Sequence, residues 1–120
     1  MEPAPSATPA RRAAISHPST LRTSRTSSPF GLRCAGAVDF TTRDAWRSAL
    51  AELTAAKREA HLDLSALTFI DVHGTSILVE AAASRAPQAP RIVLHRPPPM
   101  MLRILGVFWP SLPTIEVVHT

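Results

Sequence analysis

A chain of 120 residues of which 45% are hydrophobic has the size and apolar content of one globular domain. Its single cysteine excludes an intramolecular disulfide, and its apolar runs are too short for a signal peptide or a membrane span, so we expect a cytoplasmic protein. The net charge of +4 lies in residues 1–35, whereas residues 36–120 hold eight basic and eight acidic residues, which argues against specific nucleic-acid binding.

Two segments of different composition divide the chain. Residues 1–19 are rich in proline, serine, arginine and alanine, and they contain almost no large apolar side chain. Such a segment cannot bury enough apolar surface to offset the entropy lost on ordering. We therefore predict a disordered arm over residues 1–19 and a single domain over residues 20–120.

The domain is predicted to begin with a hairpin and an amphipathic helix. Residues 20–25 and 30–35 are predicted strands joined by a short polar turn. Thr41 and Asp44 have capping-box spacing, which predicts a helix that begins there and ends near residues 57–58. The apolar face of this helix repeats at helical spacing through Trp46, Leu50 and Leu53.

A short strand and a second helix are predicted next. Residues 61–64 form the strand, and residues 67–70 form a mostly apolar connection. Asp71 is placed to cap the helix, which continues through an alanine-rich stretch. Two prolines in residues 86–90 are predicted to end it.

The remaining residues predict a strand, a helix and a last strand. Residues 91–95 have the continuous apolar character of a strand that is covered on both faces. Pro99 suits the first turn of the third helix, Gly106 can end this helix, and residues 114–118 supply the final strand. This alternation of strands and helices predicts a mainly parallel sheet with crossover helices.

The third helix and the loop after it are unusually apolar. We expect most of these side chains to pack in the core, with Met101 or Trp109 the best candidates for exposure.

Two runs and a glycine resemble the signature of the STAS domain family. They are residues 36–42 (GAVDFTT), residues 62–71 (LDLSALTFID) and Gly74. The resemblance extends over residues 20–120. It implies an α/β fold with a mixed, mostly parallel sheet of four or five strands and three to four helices mainly on one face. It also implies a signalling module that docks onto a protein partner, typically a kinase-type anti-sigma factor, and that has no catalytic role or cofactor.

The resemblance places the partner-binding site at the start of the second helix, where unpaired backbone N–H groups form a positive pole. In the family, the residue after the motif aspartate is usually a serine whose phosphorylation breaks the partner contact. Val72 occupies that position here, so the usual phosphoswitch is not expected. The module is therefore expected either to be constitutive or to be controlled by its partner's state, by a ligand or by modification of Thr75. The candidate partner-binding residues are Asp39, Asp71, Val72, His73, Gly74, Thr75 and Ser76.

Other chemistry is disfavoured by the residue spacing. His73 has no second histidine or cysteine at metal-ligand spacing, so no metal site is predicted. Asp71, His73 and Ser76 are too close in sequence to form a hydrolytic relay, and Cys34 is expected to be a small core residue. Two alternatives to partner binding remain: a sensor of a small anion or nucleotide at the same helix terminus, and a scaffold or oligomerisation domain.

Overall fold

A computed structural model describes residues 20–85 and 91–119, in which a hairpin is followed by alternating helices and strands. The predicted arm at residues 1–19 and the predicted break at residues 86–90 lie outside the described residues. The elements in chain order are β1 (Leu21–Ser27), β2 (Phe30–Val38), α1 (Arg43–Ala55), β3 (Ala60–Ile70), α2 (Val72–Ala83), β4 (Ile92–His95), α3 (Pro99–Phe108) and β5 (Ile115–Val118).

The strands form one five-stranded sheet in the order β1-β2-β3-β4-β5. The hairpin strands β1 and β2 pair antiparallel, and every other neighbouring pair is parallel. Parallel neighbours cannot be joined by a tight turn, so a helix connects each parallel pair. The predicted mixed, mostly parallel sheet is confirmed.

The core lies between one face of the sheet and the three helices. The predicted apolar face of α1 is confirmed, because Trp46, Leu50 and Leu53 are all buried. Cys34 is also fully buried, as predicted for a core residue. The opposite face of the sheet carries polar side chains such as Asp63, which alternates along β3 with buried leucines.

The start of α1 differs from the predicted capping box. Thr42 is the N-cap, and its side chain does not hydrogen bond to the first turn of the helix. Instead, Thr42 Oγ1 donates to Ala37 O at 2.8 Å and accepts from Asp39 N at 3.0 Å. The hydroxyl thus closes the turn between β2 and α1. The helix ends at Ala55, earlier than predicted.

The predicted connection at residues 67–70 is wrong, because β3 continues through it to Ile70. Its neighbour β2 extends equally far, with Gly36 opposite Leu67 and Val38 opposite Ile70. Two register shifts interrupt this pairing. The register shifts interrupt the alternation of apolar and polar residues by which a long strand is recognised in a sequence. The pairing of β2 with β3 nevertheless continues beyond both shifts.

The third helix is longer than predicted, and its exposed residues are different. It continues past Gly106 to Phe108. Met101 is fully buried and Trp109 is half-buried, so the predicted exposure of Met101 is wrong. Contacts with α2 and β3 fix which side of α3 faces the core. The exposed apolar side chains on α3 are Met100, Val107 and Phe108.

Among the helices in residues 20–85 and 91–119, none has the length and apolar content needed to span a membrane.

Candidate functional site

The predicted site lies where β2 and β3 end side by side. Their last residues, Val38 and Ile70, are opposite each other, and Asp71 N donates to Val38 O at 3.2 Å. The loops that follow the two strands therefore meet at one edge of the sheet. This carboxyl edge is where open α/β sheets usually bind their ligands.

Asp71 caps α2, as predicted. Its backbone is extended, with φ −90° and ψ 179°, and its Oδ1 accepts a hydrogen bond from Gly74 N at 2.7 Å. An N-cap of this kind stabilises a helix by about 1 kcal/mol. The other carboxylate oxygen lies 3.9 Å from Arg43 Nη2, so a cation from α1 faces the cap. The carboxylate therefore joins the starts of the two helices.

Several exposed side chains, most of them apolar, lie at the same edge of the sheet as this cap. Val72 and His73 are exposed in the first turn of α2, and Val72 retains 47% of its accessible area. Phe40, in the loop after β2, is 77% exposed, and Phe69, near the end of β3, is 40% exposed. We call Phe40, Phe69, Val72 and His73 the carboxyl-edge surface. Large apolar side chains exposed at one edge of a sheet are typical of a protein interaction site.

Gly74 and Thr75, two of the candidate partner-binding residues, face the interior. Thr75 is fully buried, and its Oγ1 donates to Asp71 O at 3.0 Å. This hydroxyl is therefore not accessible to a kinase in this conformation. A Cβ on Gly74 would lie 2.6 Å from Val38 Cγ1, so glycine permits α2 to approach the strand closely. Gly74 and Thr75 therefore support the carboxyl-edge surface from the interior of the domain.

The two remaining candidates, Asp39 and Ser76, are half-buried beside the surface. Asp39 Oδ1 accepts from Thr41 N at 2.9 Å and from Thr41 Oγ1 at 2.6 Å. This carboxylate therefore shapes the loop that presents Phe40. Ser76 Oγ donates to His73 O at 2.7 Å. Ser76 is thus a partly accessible hydroxyl four residues after Val72.

Several residues of the site were not predicted from the sequence. Arg43 was not identified, because only the fold brings the start of α1 to the cap of α2. Trp46 was predicted only as a core residue, yet its Nε1 donates to Gly74 O at 2.9 Å. Phe40 lies within the GAVDFTT run but is not among the predicted site residues. Its position between the polar residues Asp39 and Thr41 was a usable signal that this large apolar side chain is exposed.

The geometry gives no support to hydrolytic chemistry at this site. Ser76 Oγ is engaged with the His73 carbonyl, and this bond differs from the hydroxyl–imidazole contact of a catalytic relay. Burial raises the pKa of the Cys34 thiol to about 12, and nearby Asp63 adds to the shift, so the thiol stays protonated near neutral pH. Within residues 20–85 and 91–119, no group of three or more histidine, cysteine or acidic side chains is arranged to hold a metal ion.

Comparisons with known proteins agree with this architecture. A family model described as "Mlab, STAS domain" matches residues 21–108. Among solved structures, the chain is similar to "Structure of the Anti-Sigma Factor Antagonist SpoIIAA in its Unphosphorylated Form", with 15% sequence identity and a TM-score of 0.61. This similarity covers 84% of this chain and 89% of the other. No curated protein matches the chain.

Proposed function

Because the chain belongs to the STAS domain family, we propose that it is a non-enzymatic regulatory module that binds a protein partner through the carboxyl-edge surface. The observation that carries the proposal is the exposure of Val72 and His73 directly after the Asp71 cap. Phe40 and Phe69, at the same edge of the sheet, add further exposed apolar area. A rigid helix start with adjacent exposed aromatic side chains suits binding to a protein groove.

A kinase-type anti-sigma factor is the proposed partner. The similar solved structure is that of an anti-sigma factor antagonist in its unphosphorylated form, and its fold extends over most of this chain. The proposed partner surface is largely apolar, and an aspartate carboxylate paired with Arg43 lies beside it. The module would then act in the control of bacterial transcription by occupying the anti-sigma factor.

We further propose that binding does not depend on phosphorylation at the usual position. Val72 has no hydroxyl, the Thr75 hydroxyl is buried, and Ser76 Oγ is engaged with His73 O. An added phosphate at Val72 is chemically impossible, so the charge that breaks the contact in the family cannot arise there. The partner's own state would therefore control the complex.

The two alternatives from the sequence stay predictions. A small anion at the start of α2 would have to displace the Asp71 carboxylate, which already accepts from Gly74 N. A scaffold role does not require Val72 and His73 to be exposed. Partner binding requires no such displacement, because Val72 and His73 are already exposed.

The test compares two exposed valines. The full chain, Val72→Asp and the matched control Val107→Asp are titrated against purified kinase-type anti-sigma factors from the source organism by biolayer interferometry. Asp in the first turn of α2 suits the helix dipole, so the variant keeps the fold while placing a charge in the interface. We expect Val72→Asp to weaken binding at least about tenfold, and Val107→Asp to change it less than about twofold. Equal losses in both variants would contradict the proposed surface.

Phosphorylation is tested by gain of function. Val72→Ser restores a hydroxyl at the family position, and the variant and the parent chain are incubated with the partner kinase and ATP. We expect phosphate on Val72→Ser, followed by release of the partner, and a stable unlabelled complex for the parent. Labelling of the parent at Ser76 with release of the partner would contradict phosphorylation independence.

A further inference from the structure

A second polar site lies on the face of the sheet that the helices leave open. A groove of about 300 Å³ crosses β2, β3 and β4 there. Its polar lining includes Arg33, His61, Asp63, Ser65, His95 and Arg96. We call it the open-face groove. The open-face groove shares no residue with the carboxyl-edge surface. Its lining residues are mainly polar or charged, whereas the carboxyl-edge surface is mainly apolar.

Two histidines and a glutamate form a hydrogen-bonded chain at this groove. His61 Nδ1 lies 2.7 Å from His95 Nε2, and His61 Nε2 lies 3.1 Å from Glu59 Oε1. The ring centroids are 4.9 Å apart, much farther than the two nitrogens, so the rings meet edge to edge. Because an ionised carboxylate only accepts, His61 Nε2 must donate to Glu59. His61 Nδ1 then accepts from His95 Nε2–H.

Arg96 follows directly and has an unusual backbone. Its φ is 55°, in the left-handed region that a residue with a Cβ rarely adopts. The hydrogen bond from Arg96 N to Val118 O, at 2.8 Å, holds this conformation against β5. Among residues 20–85 and 91–119, no side chain pairs with the Arg96 guanidinium. Strained positions of this kind concentrate at binding sites, where the fold maintains them for a function.

The acidic group in the groove is already engaged. Asp63 Oδ1 accepts from Ser65 N at 3.0 Å and from Ser65 Oγ at 2.7 Å, while Oδ2 lies 3.4 Å from Arg33 Nε. Arg33 and Asp63 therefore offset each other in charge. The Arg96 guanidinium and the His95 ring remain to act on a ligand, and the residues that line the groove include two guanidinium groups and one carboxylate.

We propose that the open-face groove binds a phosphate group between the Arg96 guanidinium and the His95 imidazole. Arginine presents several N–H donors in a planar fork that matches phosphate oxygens. His95 Nδ1 is the ring nitrogen that does not contact His61, so it is left to contact the phosphate. The phosphate is free inorganic phosphate or part of a phosphate ester, since both offer the same oxygens. This site is independent of the proposed partner surface.

A metal ion fits the histidine pair less well. Two nitrogens bound to one tetrahedral zinc at about 2.0–2.1 Å lie roughly 3.3 Å from each other. The observed separation of 2.7 Å is shorter and matches an N–H···N hydrogen bond. The rings would have to move apart before both could bind one ion.

The test is an NMR titration of the full ¹⁵N-labelled chain at constant ionic strength. The probes are inorganic phosphate, adenosine monophosphate and acetate. We expect saturable shifts at His95 and Arg96 with phosphate, and weaker binding of acetate. Tighter binding of the nucleotide than of phosphate would identify an ester as the ligand, and equal binding would identify the free ion.

Variants separate binding from folding. We expect Arg96→Gln to weaken phosphate binding at least about tenfold, His95→Gln to weaken it about fivefold, and Arg103→Gln on α3 to change it less than about twofold. Arg96→Gly removes the guanidinium, while glycine suits the positive φ, so this variant keeps the fold and should bind as weakly as Arg96→Gln. The proposal is overturned if the parent chain shows no saturable shifts, if binding survives in Arg96→Gly, or if zinc binds the histidine pair and phosphate does not.

Discussion

The two faces of the sheet differ in what covers them and in what they offer to other molecules. The helix-covered face buries a continuous apolar cluster, whereas the open face holds charged and imidazole side chains in hydrogen-bonded contacts. Burial of the first face supplies most of the folding free energy, because apolar area contributes in proportion to what leaves water. Exposed ion pairs on the second contribute little. The open face is therefore available to bind ligands at little cost to stability.

The carboxyl-edge surface lies where these two faces meet. Val38 and Ile70, which precede its loops, are fully buried, while Phe69, beside Ile70, is partly exposed. A surface built on buried neighbours is rigid, which suits docking to a partner. Changes on the helix-covered face should therefore affect both stability and partner binding, and changes on the open face should leave both nearly intact.

The largest effect is expected from Trp46, which links the core to the site. Trp46→Ala removes a fully buried side chain and its hydrogen bond to Gly74 O, and should lower the free energy of unfolding by about 3–5 kcal/mol. Trp46→Phe retains most of the ring and should cost about 1–2 kcal/mol. Urea denaturation measures both values. Equal losses for the two variants would show that the hydrogen bond outweighs the packing.

Gly74 tests how closely α2 must approach the strands. Gly74→Ala places a Cβ 2.6 Å from Val38 Cγ1 and 3.0 Å from Ile70 Cγ1, and should lower stability by about 1–2 kcal/mol. Gly106→Ala on α3 is the control, since no atom other than its chain neighbours and the backbone of its own helix lies within 4 Å of the added Cβ. It should raise stability by about 0.5–1 kcal/mol, because glycine is unfavourable in a helix. Stabilisation by both substitutions, measured by thermal unfolding, would contradict the close contact at Gly74.

The smallest effect is expected from Asp63 on the open face. Hydrogen bonds from Ser65 and the nearby Arg33 guanidinium hold the pKa of this carboxyl below its ordinary value of 3.8, although partial burial opposes them. A lowered pKa in the folded chain contributes stability that is present above pH 3.8 and is lost as the pH falls through the folded value. About a third of the side chain is exposed, so the contribution should stay below about 1 kcal/mol.

Asp63→Asn should therefore flatten the loss of stability below pH 3.8 while changing stability at neutral pH only slightly. Urea midpoints compared across the acid range measure this slope. A large loss of stability at neutral pH in Asp63→Asn would show that the open face contributes more to folding than the comparison of the two faces implies.

Some of the architecture could be predicted from local residue patterns. The apolar spacing of Trp46, Leu50 and Leu53 predicted α1, because residues at this spacing lie on one face, and can be buried together, when the segment is helical. Asp71 was recognisable as a cap, because its side chain satisfies a backbone N–H three residues away. Such features depend on neighbours in sequence, so the sequence shows them directly.

Where the prediction failed, partners distant in sequence decided the outcome. The length of β3 depends on its pairing with β2, which continues across two register shifts. The burial of Met101 depends on which side of α3 faces the core. The burial of Thr75 and the approach of Arg43 to Asp71 likewise arise only when the helices pack.

By itself, the sequence determined the order of elements, the cap of α2 and the absence of a hydroxyl at Val72, because these are properties of single residues and short spacings. Only the tertiary structure decided which side chains at the site are accessible and brought His61, His95 and Arg96 together in one groove. Accessibility and convergence depend on strand register and helix rotation, and both are set by packing over the whole domain.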